Sequence, residues 1–527
     1  MRRPIITIII YYMIAVLGLV LIPGVDSNGQ EYHLGFFHAF YVIVYTSTTI
    51  GFGEIPYEWT DNQRLWVLMS AITGVVLWVY SMGKIISLSQ NQVFKEQIEE
   101  YRFENRVKKI KKPFYIIVGY GVTGKIILDL FRNHKIDVVL IDRDSKVFDN
   151  MKESIYDTNN PYISADATNL NYLKKSGLKS KFCKGILVMS GSEEANVNIA
   201  LSAKLIAPTV QTFVRAENQK NINNLSSFDV DHVVSSTKNF SEDIFMLLSQ
   251  KEEYNLKQKL NNEVKNFEYV KGIPEGNWVI CGYNSITKKI INHLIKKNID
   301  YKIIEDGIIE NKLIQGRQIK GGGVSNQNLK AAGIENASVV FAASEDDFKN
   351  LSTIISAKKI NENIYTIAKQ NKFYKKELFD NLNINLVYQP QYSIATKVHS
   401  LIAEPFLNIF YNELKNLDYE KIKRLEMNLN NSDIETWHFR INNEKSFYKE
   451  LKNKNLFIDD IIPHQHNIKP LMIYNKNYVK IEPKRNTKIK EGDVLLFSGN
   501  YESFCRQQLL MYNKNIYQEY QFRKNKG

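Results

Sequence analysis

The sequence predicts a helical membrane part followed by two α/β lobes of Rossmann-like, doubly wound architecture. Two long apolar segments lie within the first 90 residues, although the mean hydropathy of the whole chain is −0.30. A strand-like run then leads into a glycine-rich turn at residues 119–124, and a related pattern begins again near residue 277. With 527 residues the chain has room for about three to five folded units, which excludes a single small domain.

Residues 5–22 and 65–88 have the composition of membrane-spanning helices. The first segment is an uncharged run after Arg2 and Arg3, and its length nearly spans the hydrocarbon core of a bilayer. It is longer than the run of about 7 to 15 apolar residues in a cleaved signal peptide, which is the alternative interpretation. The second segment has one charge, Lys84, near its end, where a long side chain can reach the lipid headgroups.

Charge determines the predicted orientation in the membrane. The chain has 69 Lys and Arg against 56 Asp and Glu, a net charge of +13. Residues 91–112 are rich in bases, whereas residues 25–63 contain no Lys or Arg and have five acids: Asp26, Glu31, Glu54, Glu58 and Asp61. The positive-inside rule therefore predicts an inner (cell) membrane protein with both ends in the cytoplasm. Because topology and contact with the lipid bilayer explain the basic run, we expect no nucleic acid partner.

Between the two segments, residues 34–48 are apolar but too short to span, and they predict a re-entrant helix. Residues 46–54 follow with the sequence TSTTIGFGE. Gly51 and Gly53 allow dihedral angles closed to other residues, so successive carbonyl groups can turn to one side. The segment resembles the potassium-channel selectivity filter, TxTTVGYGD, in which carbonyls replace the water shell of the ion.

The resemblance implies a filter formed by Thr49, Ile50, Gly51, Phe52 and Gly53, with K+ bound at Thr49, Ile50, Gly51 and Phe52. One such segment cannot surround an ion, so four copies are needed and we expect a homotetramer. Ile50, Phe52 and Glu54 replace the valine, tyrosine and aspartate of the pattern, so a weakly selective cation channel remains an alternative. Gly74, in the second helix, matches a gating hinge in related channels or, alternatively, permits close helix packing.

The glycine-rich turn after residues 114–118 predicts a nucleotide site in the first lobe. Its glycines allow a tight turn and the close approach of a pyrophosphate to a helix N-terminus. Asp142 ends the next strand, where an acid accepts hydrogen bonds from ribose hydroxyls and disfavours a 2′-phosphate. NAD(H) or an adenine nucleotide is therefore favoured over NADP(H). Arg143 points weakly the other way, because an arginine beside this acid can accommodate a 2′-phosphate. The ligand-contacting turn residues are Gly119, Gly121, Val122, Thr123 and Gly124.

Further strand-like runs at residues 162–165, 186–189, 212–215 and 232–234 complete six strands. Asp166-Ala167-Thr168 follows the third strand, and Val214-Arg215-Ala216 ends the fifth. These segments make the first lobe similar to the RCK (TrkA-N) domains that regulate potassium transport. The resemblance implies NAD(H), an adenine nucleotide or Ca2+ as a cytosolic ligand, with Asp166, Ala167 and Thr168 beside it. Some calcium-gated relatives have acids on both sides of the alanine, whereas here Arg215 and Glu217 flank Ala216.

An internal repeat of about 160 residues forms the second lobe. Asn284 and Thr287 replace two of the turn glycines there, so we expect this lobe to be structural. Residues near 420–500 resemble the small TrkA-C lobe that follows such domains. The expected domains are a transmembrane pore domain at 1–90 (helix 5–22, pore helix 34–48, filter 49–53, helix 64–89), a linker at 91–112, a first RCK domain at 113–265, a second RCK lobe at 266–415, a TrkA-C-like lobe at 416–505 and a tail at 506–527.

The function that these patterns favour is a tetrameric potassium or cation channel gated by a ligand at a cytoplasmic RCK ring. The alternative is a membrane-anchored NAD-dependent oxidoreductase, which would need a catalytic acid. YxxxK spacings occur at Tyr411 with Lys415 and at Tyr448 with Lys452, but both lie outside the nucleotide lobe. We therefore expect no enzyme. The intact filter argues against a third interpretation, a non-conducting regulatory subunit.

Overall fold

The computed structural model describes residues 2–149, 160–261, 269–311, 314, 316–429, 434–442, 456–463 and 467–512. The chain forms two compact units, Met1–Arg106 and Val107–Gly527. The first unit is helical apart from one short hairpin, and the second contains all the larger sheets of the described residues.

Three helices form the core of the first unit. Val42, Ile43 and Val67 are buried there together with Leu19. The Trp66 indole N–H donates to the Ala15 carbonyl at 2.9 Å and so joins the first helix to the third. The elements are α1 (Arg2–Leu21), β1 (Pro23–Val25), β2 (Glu31–His33), α2 (Phe36–Ser47), α3 (Asp61–Gln90) and α4 (Gln92–Lys108).

Within the described residues, α3 alone is both long and apolar enough to cross a membrane, over Asp61–Lys84. The apolar part of α1, Ile5–Leu21, is shorter. At 1.5 Å per residue it rises about 26 Å, against a hydrocarbon core of about 30 Å. By length and composition the second predicted segment could span a membrane, and the apolar part of the first is shorter, so the two spanning helices stay a prediction.

The second unit begins with a six-stranded parallel sheet in the order β5-β4-β3-β6-β7-β8. This order confirms the predicted doubly wound sheet: successive strands are added on one side of β3 as far as β5, and on its other side from β6 onward. The elements are β3 (Phe114–Val118), α5 (Val122–Asn133), β4 (Asp137–Asp142), β5 (Tyr162–Ser164), α6 (Leu170–Lys175), β6 (Cys183–Val188), α7 (Glu193–Ile206), β7 (Gln211–Arg215), α8 (Gln219–Ser227), β8 (His232–Val234), α9 (Ser236–Ser249) and α10 (Lys251–Lys259).

The second lobe repeats this sheet in the order β11-β10-β9-β12-β13-β14, again with parallel strands. Its inner strand β9 is buried at all four residues, as the parallel architecture requires. The elements are β9 (Trp278–Cys281), α11 (Ser285–Lys296), β10 (Tyr301–Glu305), β11 (Gln318–Lys320), α12 (Asn326–Ala331), β12 (Val339–Ala342), α13 (Asp347–Ile360), β13 (Tyr365–Lys369), α14 (Lys376–Asp380), β14 (Leu386–Tyr388) and α15 (Pro390–Ala403).

The two lobes exchange their last helices. Phe240 and Ile244 of α9, which follows the first sheet, are buried in the core of the second lobe. Ile394 and Val398 of α15, which follows the second sheet, are buried in the core of the first lobe. Each lobe therefore depends on the other for one wall of its hydrophobic core.

A mixed lobe of helices and antiparallel strands ends the described chain. Its main sheet has the order β15-β20-β17-β18, and Gly492, with φ of 91°, lies in the turn before β20. The elements are α16 (Pro405–Leu414), α17 (Tyr419–Asn428), β15 (Glu435–Arg440), β16 (Leu456–Phe457), β17 (Lys469–Asn475), β18 (Tyr478–Ile481), β19 (Lys488–Ile489), β20 (Val494–Gly499) and α18 (Tyr501–Tyr512).

Candidate functional site

The segment after α2 adopts an unusual backbone. The φ angles of Thr49, Gly51 and Gly53 are 62°, 67° and 91°, while Ile50 and Phe52 between them are not in the positive-φ region. Such alternation turns successive carbonyl groups towards one side of the chain. The two glycines were expected to adopt it, but Thr49 was not, and a left-handed non-glycine residue costs about 1–2 kcal/mol.

This segment is exposed in a single chain. The side chains of Ile50 and Phe52 are each 59% exposed, and Gly51 and Gly53 are also accessible. The Ile50 N–H donates to the Tyr45 carbonyl at 2.9 Å, which fixes the start of the segment to the end of α2. The segment thus has a firm attachment to its own chain and an open face.

Aromatic side chains support the segment from the α2 side. The Phe52 ring lies parallel to Tyr41 at 6.1 Å between centroids and edge-on to Tyr45 at 5.5 Å. The hydroxyl of Tyr45, a residue that is only 3% exposed, donates to the Gly53 carbonyl. Phe52 has no hydroxyl with which to bond to α2. The hydrogen bond from the Tyr45 hydroxyl of α2 to the Gly53 carbonyl instead links the segment to that helix.

Glu54 is fixed on the other side of the segment. Its carboxylate accepts from the Arg64 guanidinium at 2.8 and 3.1 Å and from the Trp59 N–H at 2.7 Å. The hydrogen bond from Arg64, followed by that from Trp59, lowers the pKa of Glu54 below its ordinary value. One of the five acids of residues 25–63 is therefore paired with an arginine just beyond that acidic loop.

Gly74 lies where three helices meet. A Cβ atom at this position would be 2.3 Å from the Tyr11 hydroxyl and 2.8 Å from the Ser47 hydroxyl. The Tyr11 hydroxyl itself donates to the Ser70 carbonyl at 2.7 Å. These contacts support close packing, the second of the two interpretations of this glycine, while its role as a hinge stays a prediction.

The glycine-rich turn of the first lobe leaves an open cradle at the N-terminus of α5. Gly119 has φ of 94°, and a Cβ there would be 2.6 Å from the Ser190 nitrogen. A Cβ at Gly124 would be 2.4 Å from the Gly119 carbonyl oxygen. Gly121 is the N-cap, has no side chain to accept from the helix, and faces open space. The first helical N–H groups are thus available to an anion.

Val122 and Thr123 form the first turn of α5. Val122 is 47% exposed and Thr123 is buried. Their positions leave the Val122 side chain at the surface of the cradle and direct Thr123 into the lobe. Of these two residues, only Val122 presents a side chain to a ligand at the helix N-terminus.

Asp142 lies at the carboxyl end of β4, beside the turn. Its carboxylate accepts from the Tyr120 N–H at 2.6 Å and from the Asp144 N–H at 2.9 Å. Each oxygen retains a lone pair for a further donor, such as a hydroxyl group. Arg143, the next residue, is exposed.

Asp166, Ala167 and Thr168 follow β5 at the same edge of the sheet. The Thr168 hydroxyl and N–H donate to one Asp166 oxygen at 2.7 and 2.9 Å. These bonds, the hydroxyl first, lower the pKa of Asp166. The Ala167 side chain is buried, and its place beside a ligand stays a prediction.

Glu217 is already engaged within the protein. Its carboxylate accepts hydrogen bonds from both Ser236 and Thr237, through hydroxyl and N–H, and from the Ser235 hydroxyl. Burial by itself would raise the pKa of Glu217, but these donors hold it below the ordinary value. Among the described residues no group of three His, Cys, Asp or Glu side chains could hold a metal ion. Binding of Ca2+ stays a prediction.

The second lobe closes the corresponding cradle. Asn284, at the position of Gly121, accepts from the Ile286 and Thr287 N–H groups at 3.2 and 3.3 Å. Its amide nitrogen donates to the Ala343 carbonyl at 2.6 Å. The anion-binding N–H groups are therefore used by the protein itself, as expected for a lobe that does not bind a pyrophosphate.

Sequence reasoning missed several residues that support these sites. Tyr45 and Arg64 were not considered, although a tyrosine one helical turn before the filter is visible in the sequence. Asn196 is a further supporting residue outside the predicted site residues. It is fully buried and joins two strand ends by donating to the Ser190 and Arg215 carbonyls, each at 3.1 Å.

Both parts of the chain match known family models. Residues 5–91 match the ion channel family, and residues 115–236 and 278–390 each match the TrkA-N domain. The duplicated sheet described above coincides with the two TrkA-N matches.

Curated relatives are named as potassium channels. Potassium channel protein 1 of Methanocaldococcus jannaschii is 32% identical over 42% of this chain and 65% of its own length. Probable potassium channel protein 2 of the same organism is 28% identical over 41% and 59%. The voltage-gated potassium channel Kch of Escherichia coli is 24% identical over 41% and 50%. The chain thus spans less than two thirds of the length of these relatives.

Solved structures share the fold. The GsuK channel matches with a TM-score of 0.51 and 12% identity, covering 96% of each chain. The GsuK channel bound to NAD matches with a TM-score of 0.50 over the same share. At this identity the likeness concerns the fold, a helical N-terminal region followed by parallel-sheet lobes.

Replacing Glu217 with glutamine should destabilise the second unit. The loss of charge-assisted hydrogen bonds costs about 1–3 kcal/mol at pH 7. Because the folded-state pKa of Glu217 is below its ordinary value of 4.5, the wild-type advantage is present above pH 4.5 and shrinks as the pH falls through the folded-state pKa. Thermal unfolding of the full chain between pH 7 and pH 4 measures it. Glu362→Gln, an exposed loop position, is the control, and an equal loss in both variants would contradict the prediction.

Proposed function

We propose, from the union of an ion channel domain with two TrkA-N domains in one chain, that four copies form a membrane channel that conducts potassium. Its opening is controlled by a small-molecule ligand bound to the lobes on the cytoplasmic side. The observation that carries the proposal is the backbone at residues 49–53, with positive φ at alternate residues and an open face. Such a backbone presents carbonyl oxygens to a dehydrated cation once other chains complete the ring.

Potassium over sodium selectivity requires that the oxygens stay in place. The Tyr45 hydroxyl on Gly53 and the Tyr41 ring against Phe52 support the segment from behind. The Arg64–Glu54 pair anchors its outer end. These contacts favour the potassium-selective channel over the weakly selective alternative, because they replace the hydrogen bond that Phe52 cannot make.

The open cradle of the first lobe supports NAD(H) or an adenine nucleotide as the ligand. The uncapped α5 N-terminus suits a phosphate, and Asp142 suits ribose hydroxyls. Arg143 and Asp166 lie at the same strand ends, beside the expected ribose. A relative in fold has been solved with NAD bound, which is consistent with this choice.

Ligand control requires a ligand that binds one state of the cytoplasmic ring more tightly than another. The ligand edge of the first sheet connects directly to α9 through Glu217, which binds the first residues of that helix. Because α9 packs in the second lobe, a shift at this edge changes the core of both lobes. Eight lobes in a tetramer would then act as one ring.

Of the two tyrosines considered for the oxidoreductase alternative, the structure describes Tyr411, which is engaged within the protein. The Tyr411 hydroxyl donates to the Lys257 carbonyl at 3.1 Å, and burial raises the pKa of Tyr411 well above its ordinary value. Tyr411 lies on α16, after the two nucleotide-type sheets. Tyr448 and Lys452 lie outside the described residues.

Replacing Gly51 and Gly53 together with alanine should abolish conduction. Alanine is strained at the observed φ of 67° and 91°, so the carbonyls would leave their positions. The measurement is barium-sensitive potassium current through reconstituted protein. Gly35→Ala is the matched control, because Gly35 has φ of −62° and alanine is allowed there. Full current through the double variant would remove the pore assignment.

Tyr45→Phe should lower the potassium to sodium permeability ratio about 2- to 10-fold. The change removes one hydrogen bond to Gly53, worth about 0.5–1.5 kcal/mol, and keeps the ring. Reversal potentials under mixed-ion conditions measure the ratio. Tyr41→Phe retains the ring stacked on Phe52 and serves as the control. An unchanged ratio in Tyr45→Phe would show that the hydroxyl does not support the filter.

Gly121→Asn should abolish binding of ADP and NAD to the full chain. Gly121 has φ of −72°, so asparagine is allowed, and its side chain would cap α5 as Asn284 caps α11. Asp142→Asn should weaken binding about tenfold by removing the charged acceptor. Titration calorimetry measures both. Asp137→Asn, at the opposite end of the same strand, is the control, and unaltered ADP binding in Gly121→Asn would refute the site.

A further inference from the structure

We propose that the second lobe binds a nucleoside, a ligand with ribose hydroxyls and without phosphate, at the carboxyl edge of its sheet. This inference goes beyond the proposed function, which concerns the first lobe. It also changes the purely structural role that the altered glycine pattern suggested for the second lobe.

A cavity of about 800 Å3 is present at this edge. It lies at the ends of β9, β10 and β12, where ligands bind in doubly wound sheets, and its volume is in the range of small-molecule sites. Gly321, Gly322 and Gly323 form one wall, and a Cβ at Gly323 would be 2.7 Å from Cys281. The glycine run therefore keeps this wall thin, and Gly321 has φ of 136°, which favours glycine.

The cavity has no place for a phosphate. Asn284 occupies the helix N-terminus and bridges to the Ala343 carbonyl across the groove that a pyrophosphate would use. The Thr287 hydroxyl accepts from the Asn284 N–H at 2.8 Å and completes the capping box. The N–H groups of Ile286 and Thr287 both donate to the Asn284 side chain, whereas the first lobe has no side-chain cap at the corresponding helix N-terminus.

The charge of the lining also disfavours phosphate and favours hydroxyl donors. Glu305, Asp306, Glu345 and Asp346 line the cavity, with Lys349 as a single base among the lining residues. Glu305 ends β10, the position at which an acid binds ribose in such sheets. Its oxygens accept from the Tyr283 N–H at 2.7 Å and the Asp306 N–H at 3.0 Å, which fix the carboxylate and leave a lone pair on each oxygen.

Apolar groups complete the site for a flat base. Cys281, Ile304 and Val324 line the cavity, and Val324 is 42% exposed. A metal ion is a poorer occupant, because in the described part of the chain no three acidic, His or Cys side chains are arranged to ligate one. A hydroxyl-bearing, uncharged, partly apolar molecule fits all three properties of the lining.

The test uses the full chain with the first lobe disabled by Gly121→Asn and Asp142→Asn, and adenosine as the probe. Titration calorimetry at up to about 1 mM adenosine should detect one site per chain. Adding Glu305→Gln should weaken adenosine binding about tenfold or more, since a charged acceptor is lost. Glu362→Gln is the matched control. If the Glu305 variant does not fold, Asp306→Asn is used in its place. Asp306 is an exposed residue of the cavity wall, and its replacement should likewise weaken adenosine binding about tenfold.

ADP should bind the first-lobe double variant at least tenfold more weakly than adenosine does, and Asn284→Gly should remove that difference by opening the helix N-terminus. Absence of adenosine binding, binding that survives Glu305→Gln, or equal binding of ADP with Asn284 present would each overturn the proposal. Failure of ADP to bind the wild-type chain would instead count against the first-lobe site, so the two failures are distinguishable.

Discussion

A peptide backbone can serve as a ligand only where no side chain stands between it and the bound group. Both candidate sites of this chain depend on that constraint. Residues 49–53 have the backbone that we propose presents carbonyl oxygens, and the turn at residues 119–124 leaves the N-terminus of α5 without a side-chain cap. Glycine meets the requirement for space and dihedral freedom, but it provides no packing of its own. The surrounding side chains must therefore supply the rigidity, which explains why Tyr45 and Asp142 bond directly to backbone groups of these two segments.

Much of the architecture was predictable because its signals are local. An apolar segment, a strand-like run and a glycine spacing each depend on neighbouring residues, and the order of the first sheet follows from alternating strands and helices. The edge that brings Gly119 and Asp142 together follows from parallel strand ends. The effect of Asn284 was also foreseeable, since any side chain at that position fills the turn. The first apolar helix, expected at residues 5–22, has its apolar part at Ile5–Leu21.

The remaining features depend on contacts between distant residues, which one sequence does not specify. Glu54 was counted as one of five acids and Arg64 was not considered, because their pairing appears only when the loop between them is folded. Glu217 was judged by its position beside Ala216, whereas the hydroxyl groups that occupy it come from the start of α9. A polar cluster of this kind has no periodic pattern. The cavity of the second lobe likewise depends on where three loops meet.

The exchange of α9 and α15 has a consequence for how the molecule can be divided. A fragment that ends before residue 277 would keep the first sheet but lose Ile394 and Val398, and would leave the apolar side of α9 in water. The same holds in reverse for a fragment that begins there. Expressed alone, either piece would lack about one face of its interior and would associate with a complementary piece or aggregate. The duplicated halves must therefore be synthesised and folded as one inseparable body.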